Sequence, residues 1–389
     1  MYSKKFIKIL VLQSKISYFM GSSPLLMDPE KEILYATKLG KVKSFGFWFI
    51  LTEYATIFIP YQLVKMWNLG NFQQFNYVMI LWLGLILACI FLGCFNLQND
   101  QVRELLNMYL VFVKNFQKQY LPNHNPNTAF VNKIMDRILV WSSMCYFWFG
   151  ILLSTHYAIF PRSAFHLTTE IDPNFFYSFF YIPYGLALTW VILSICSLFS
   201  MCTSAILTYV AFLVPIQSKE FRVDNIHGQK SNDKLRTAKY LPKTYRCFEL
   251  LTNFQNITLS QYLIPCQTAI MYLILFCNTM LIRRWEKLNA ALRVSLILLS
   301  VLAMFLWGLV LKVFGRMDVW SQKTLKSWKD HNWGSVRDNK YMRKFRKSCR
   351  PLRIGYGRCY IIRPLSVLKF LKGISRGTFR ALLLAMKNE

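Results

Sequence analysis

"PNFFYSFFYIPYGLALTWVILSICSLFSMCTSAILTYVAFLVPIQS", Pro173 to Ser218, is 46 residues without one Asp, Glu, Lys or Arg. An uncharged apolar run of about 18 residues already suffices to cross a bilayer as a helix. This run has room for one long crossing or two short ones, and the choice decides the fold. Five further runs of span length lie outside it: Ser44 to Val64, Phe75 to Phe95, Ile138 to Phe160, Leu250 to Ile282 and Val294 to Leu311. A last one, Leu368 to Met386, stands near the C-terminus. With a single crossing in Pro173 to Ser218, Lys and Arg number 8, 1, 5, 1, 8, 3 and 12 in the successive connections. Rich and poor connections alternate. Splitting the run would invert the later connections and destroy the alternation. Basic loops stay in the cytoplasm, so the N-terminus is predicted inside. The surplus length of the fourth span continues as helix into the cytoplasm.

The expected fold is therefore an all-α membrane protein of seven transmembrane helices, N-terminus cytoplasmic and C-terminus extracellular. Residues 1–43 form a cytoplasmic N-terminal segment, and residues 44–312 hold the first six spans. Residues 313–357 form a cytoplasmic segment dense in charge and Trp, and residues 358–389 hold the seventh span and a short outer tail. Within 313–357, "NKYMRKFRKSCRPLRI", Asn339 to Ile354, reads as a basic helix stopped near Pro351. It suits anionic headgroups or a subunit contact.

Composition agrees. Of 389 residues, 54% are apolar and 17% charged, and the mean hydropathy is +0.28. The net charge of +29 would suggest nucleic acid in a soluble domain. Here it belongs to cytoplasmic loops beside lipid, and no nucleic-acid partner is expected. The ten cysteines form no C-x-x-C pair and flank no histidine at ligand spacing, so neither a disulfide framework nor a metal site is implied. "MYSKKFIKILVLQSKISYFM" is broken by Lys8 and Lys15 and carries no cleavage site, so no cleaved signal peptide is read.

No catalytic motif appears, and the chain is not read as an enzyme or as holding a cofactor. Asn256 opens a glycosylation sequon, but at the cytoplasmic start of span 5. Ionisable groups inside spans are functional candidates by default: Glu53 in span 1 and His156 in the outer end of span 3. The bland alternatives are a neutral, hydrogen-bonded carboxyl and an interfacial histidine. Aromatic residues crowd the outer halves of spans 3 and 4. Many suit an interfacial belt, yet a small-molecule pocket is also apolar with a few polar anchors. Phe149, His156, Tyr157, Tyr181, Tyr184 and Trp190 are the candidate ligand-binding residues.

In the last span, Lys369, Lys372, Arg376 and Arg380 stand 3, 4 and 4 residues apart and share one helical face. Three readings are open. The stripe faces water and sets ion selectivity. It pairs with acids such as Glu53 in a mixed assembly. Or the helix lies on the membrane surface.

The C-terminal "SCRPLRIGYGRCYIIRPLSVLKFLKGISRGTFRALLLAM", Ser348 to Met386, resembles the tail of the insect-type seven-transmembrane chemoreceptor superfamily, the gustatory and odorant receptors. Gustatory members carry Thr-Tyr, about five mostly apolar residues, then Gln-Phe. Here Thr378-Phe379, Arg380 to Leu384, and Ala385-Met386 stand at those places. "IDPNFFYSFFYIPYGLALTW", Ile171 to Trp190, is similar to the family's approach to span 4. The resemblance implies a ligand-gated, non-selective cation channel of the plasma membrane that binds a tastant or odorant. It implies a homo- or hetero-tetramer, in odorant members with a co-receptor subunit. Span 7 of each subunit would surround the pore, with Lys369, Lys372, Arg376, Thr378, Phe379 and Arg380 on the pore helix. The ligand pocket would lie in the outer half among spans 2, 3, 4 and 6, and the cytoplasmic parts of spans 4 to 7 would form an anchor. The four cations depart from that pattern. A secondary transporter is the alternative, although the paired repeats of that class are missing. A G-protein-coupled receptor has the opposite orientation, and its D-R-Y and N-P-x-x-Y motifs are missing.

Overall fold

The computed structural model describes residues 4–121, 126–159, 161, 166, 176–224, 229–283, 285–288, 290–356 and 360–386. The chain begins with helix α1 (Lys4–Met20) and a two-stranded antiparallel hairpin, β1 (Leu25–Asp28) and β2 (Ile33–Ala36), in which Leu25 faces Ala36. Helices α2 (Lys38–Asn68), α3 (Phe72–Leu97), α4 (Asn99–Tyr120) and α5 (Pro126–Ile159) follow. A π turn, Phe176–Phe180, leads into α6 (Tyr181–Glu220). Then come α7 (Leu241–Arg283), α8 (Ala290–Ser327) and α9 (Val336–Ser348). A short β-bridge, β3 (Gly355–Tyr356) with β4 (Tyr360–Ile361), precedes α10 (Ser366–Met386).

Each apolar run read from the sequence falls within one helix, although Phe160 and residues 173–175 lie outside the described residues. Tyr181 to Glu220 is one helix and not two. Among the described residues, α2, α3, α6, α7 and α8 are long and apolar enough to cross a membrane. The chain is a multi-pass membrane protein. Side chains such as Leu298, Leu302 and Phe305 on α8 are exposed in the isolated chain, as suits a surface solvated by lipid tails.

Local signals place the ends and bends. Thr37 caps α2 by accepting the Gly40 N–H at 3.0 Å. Ser335 accepts the Asp338 N–H at 3.0 Å and donates its hydroxyl to the Asp338 carboxylate at 2.8 Å, a reciprocal cap for α9. The π turns Tyr54–Phe58, Phe176–Phe180 and Tyr209–Leu213 stand just ahead of Pro60, Pro183 and Pro215. Proline withholds an N–H from the helical ladder, and a wider turn is one way to absorb the loss. Helix α9 stops at Ser348, before Pro351. The chain is already extended at Cys349 (ψ 135°), as the approach to a proline favours.

Helices α6 and α7 have 40 and 43 residues, so they run about 60 and 65 Å at 1.5 Å per residue. That is twice a hydrocarbon core of about 30 Å. Their surplus, with α4, α9, the start of α1 and the end of α8, forms a bundle where the four Lys- and Arg-rich connections meet. We call this the basic end. Its core is aromatic and dry. Phe221 sits 5.6 Å from both Tyr245 and Phe248 and 6.4 Å from Phe116, ring centre to ring centre, and all four side chains are almost fully buried.

The described part of the N-terminal segment, residues 4–43, packs against the helix bundle. Helix α1 runs antiparallel along α6, with Phe6 on Phe212 and the Met20 carbonyl accepting from Ser194 Oγ at 2.9 Å. The hairpin is tied to α4 by Asn107. Its amide accepts the Leu34 N–H at 2.7 Å and donates to the Leu34 carbonyl at 2.9 Å, occupying the open edge of β2.

Candidate ligand site and pore helix

The tyrosines singled out in spans 3 and 4 meet at the end of the bundle opposite the basic one. Tyr157 lies near the end of α5 and Tyr181 at the start of α6, so the two helix ends face each other. The Tyr157 hydroxyl donates to the Tyr181 carbonyl at 3.0 Å, and the Tyr181 hydroxyl donates to the Ala158 carbonyl at 3.3 Å. Their rings lie near parallel, 5.6 Å apart. Tyr184, one turn further along α6, closes on Tyr157 at 5.4 Å. The result is a cage of three rings, with Tyr157 only 4% exposed.

Three members of this cage carry no sequence signal. His166, from the connection between α5 and α6, is buried with its ring 5.1 Å from Tyr157 and 6.2 Å from Tyr184. Tyr54 of α2 shares a hydrogen bond with Tyr184. Gly185 supplies space: a Cβ there would stand 2.8 Å from Tyr157 Cε1. Alanine in place of a helical glycine normally stabilises by up to about 1 kcal/mol. Gly185→Ala is expected to do the reverse, costing about 1–3 kcal/mol by overpacking the ring. A thermal melt of the purified protein that rises instead would mean Tyr157 is not held against α6 in this way.

The other proposed ligand residues are placed differently. The side chains of Phe149 and His156 lie outside the described residues. Trp190 is not in the cage. Its ring packs edge-on against Phe47, 5.4 Å away near the start of α2, and lies beside Gly21. That puts it well below the tyrosines, towards the basic end. Glu53 is exposed on α2.

A second polar feature joins α1 to α5 and α6. The Gln13 amide donates to Ser143 Oγ at 2.7 Å and Ser200 Oγ at 3.0 Å, and its oxygen accepts from Ser204 at 2.7 Å. Ser22 pairs with Ser197 at 2.7 Å. Buried amides and hydroxyls need such partners, and here they fasten α1 to one face of α6. Beside Gln13, a cavity of about 40 Å³ is lined by Ser14, Tyr109 and Thr208 among others. A water needs roughly 10–15 Å³ of such space, so this cavity suits a few waters and not a tastant or odorant.

Helix α10 packs on α7 and α8. Its buried face is Phe370, Ile374 and Thr378, at 3%, 4% and 8% exposure. Gly373 and Gly377 let it approach α7: a Cβ at 377 would stand 2.7 Å from Leu275 Cδ2 and one at 373 would stand 3.7 Å from Met271 Sδ. Lys369, Lys372, Arg376 and Arg380 are all exposed, away from that face, as is Phe379. None has an ion pair among the described residues. A Lys or Arg at mid-bilayer costs about 2.5–3.5 kcal/mol, so four facing lipid would cost about 10–14 kcal/mol.

No family model matches the sequence. No curated protein matches it either. The fold does have solved counterparts. The structure is similar to that of the insect olfactory receptor OR5 from Machilis hrabei in complex with eugenol, with a TM-score of 0.63, 11% identity and coverage of 98% of both chains. It is similar to the same receptor solved without eugenol, with a TM-score of 0.57, 10% identity and coverage of 97% of both chains. Over 98% of its length the chain has the fold of an insect olfactory receptor.

Proposed function

We propose that this chain is a chemoreceptor subunit, a ligand-gated ion channel opened by a small tastant or odorant. The observation that carries the reading is the full-length agreement of fold with an insect olfactory receptor, reached at 11% identity. The tail motif at Thr378-Phe379 and the alternation of basic connections support it independently. In this reading the seven segments cross the plasma membrane with the N-terminus and the basic end in the cytoplasm. The basic end is the anchor between subunits of a homo- or hetero-tetramer, and α10 of each subunit borders the pore. The ligand enters near Tyr157, Tyr181, Tyr184 and His166, where ring faces and hydroxyls offer apolar cover with a few directional contacts. Binding and conduction are its work, with no catalysis.

The test is whole-cell recording from cells expressing the chain, alone and with an odorant co-receptor, against a panel of small aromatic and polar tastants that includes eugenol. A current that opens within milliseconds and survives block of G-protein signalling is expected. Tyr157→Ala should weaken the response to the best compound up to about tenfold, since an aromatic contact contributes about 0.5–1.5 kcal/mol. Failure of every compound in both settings, or a C-terminal tag stained only after permeabilisation, would end the reading.

A further inference from the structure

We infer that the pore bordered by α10 is an anion pathway, and that Lys369, Lys372, Arg376 and Arg380 are its selectivity residues. The inference rests on the channel reading above and deepens it by naming the class of permeant ion, small monovalent anions.

The argument begins with what the stripe can face. It does not face the subunit's own body, because α10 meets α7 and α8 through Phe370, Ile374 and Thr378, with Gly373 and Gly377 beside them. Lipid is excluded by the cost of four cations in hydrocarbon. A helix lying on the membrane surface would not bury Phe370, Ile374 and Thr378 against α7 and α8. An acidic partner is therefore the remaining alternative to water, and α7, α8 and α10 offer none within reach. α10 has no Asp or Glu over Ser366–Met386. α7 has none beyond Glu249, and α8 none before Asp318, which already pairs with Arg353 at the basic end. Around a pore bordered by four copies of α10, the facing helices bring no acid either. Glu53 sits on α2, which packs on α3.

The stripe therefore faces water. Along the helix its members rise by about 4.5, 6 and 6 Å, so four subunits would stack four positive rings over about 16 Å. Rings of Lys and Arg admit anions and repel cations. Several rings in series also let one anion displace the next, which conduction requires. Of the exposed apolar side chains of α10, Leu371 lies well round from the stripe, where it can meet a neighbouring subunit or lipid, while Leu368 and Phe379 flank it, four residues before Lys372 and three after Arg376.

The full chain, purified and reconstituted in neutral phosphatidylcholine vesicles, provides the test. Iodide and thallium entry are read by entrapped dyes, with and without each compound of the recording panel, eugenol among them. In parallel, Arg376→Cys and Leu371→Cys proteins are labelled with anionic and cationic methanethiosulfonate reagents, and the labelled sites are identified by peptide mass. Iodide should enter about tenfold faster than thallium. The thiol introduced by Arg376→Cys should react about tenfold faster with the anionic reagent, while the one introduced by Leu371→Cys reacts slowly with both. Arg376→Gln should lower the iodide preference, and Arg376→Lys should keep it, which separates charge from a folding defect. Thallium entering faster than iodide would overturn the anion pathway and leave the channel standing. Labelling of the Arg376→Cys protein at that position only by a lipid-soluble maleimide would overturn it as well. Anion-preferring labelling with no entry of either ion would instead sink the channel reading, and this inference with it.

Discussion

Trp328→Ala is expected to be among the most damaging single substitutions in the chain. Trp328 is 3% exposed in the core of the basic end. Its ring stands edge-on to Tyr245 at 4.9 Å and stacks on Phe345 of α9 at 6.0 Å, and its indole N–H donates to the Phe221 carbonyl at 2.8 Å. One side chain thus joins the ends of α6, α7, α8 and α9. Truncating a buried Trp costs about 3–5 kcal/mol through lost burial and the cavity left behind, and here the Phe221 carbonyl also loses its donor. The membrane-embedded helices have no such dependence on it. The loss should therefore appear as early melting of the basic end, with amide exchange accelerated around residues 217–221 and 321–328. Trp328→Phe keeps a ring and loses the N–H, so it should fall between wild type and Ala. A Trp328→Ala protein that melts like wild type would show that this end is not held together by its aromatic core.

That core was only partly legible in the sequence. The spans were legible because a bilayer imposes two blunt requirements, length without charge and basic residues on one side, and both survive any choice of apolar side chain. The continuation of α6 beyond a membrane thickness was legible for the same reason. What the overhanging helices do was not, because Tyr245, Phe116 and Trp328 become a core only when four distant segments converge. Helix α1 was missed for a related cause. Lys8 and Lys15 interrupt its apolar run, while the face that matters carries Gln13 and Ser17, and serines mark a helix contact only once the opposing serines of α6 are in place.

The tyrosine cage was legible as a cluster and not as a geometry. Tyr157, Tyr181 and Tyr184 were found because aromatics crowd the two helix ends. Trp190 was grouped with them by position along span 4, yet nine residues of α6 separate it from Tyr181, about 13 Å of helix, and it pairs with Phe47 instead. His166 and Tyr54 arrive from segments with no signal of their own. The stripe on α10 was visible from spacing alone, since residues 3 and 4 apart share a face. Which face α10 buries was not, because Gly373 and Gly377 speak only through the side chains of α7 that fill the space they leave.

Glu220→Ala should rival the tryptophan substitution by an electrostatic route. Glu220 closes α6 at the basic end, with its side chain 4% exposed. Its carboxylate accepts the Lys230 N–H at 3.1 Å and the Ser231 N–H at 3.0 Å, and Arg236 lies 3.8 Å away. These contacts fold residues 229–236 back onto the bundle, where the Asn232 N–H reaches the Tyr120 carbonyl at 2.7 Å and caps α4. Removing the carboxylate leaves two amide donors without an acceptor and a largely buried guanidinium short of a counter-charge. Breaking a buried pair from one side costs about 3–5 kcal/mol. Arg236 also holds Asp233 at 3.1 Å and the Ser231 carbonyl at 3.3 Å, so the lower half of that range is expected. Glu220→Gln keeps an acceptor and loses the charge, and its cost should be about 1–3 kcal/mol. The amides of Lys230 and Ser231 should exchange fast in the Ala variant and at an intermediate rate in the Gln variant. A Glu220→Gln protein that melts like wild type would mean that the charge contributes nothing and that Glu220 acts only as a neutral cap.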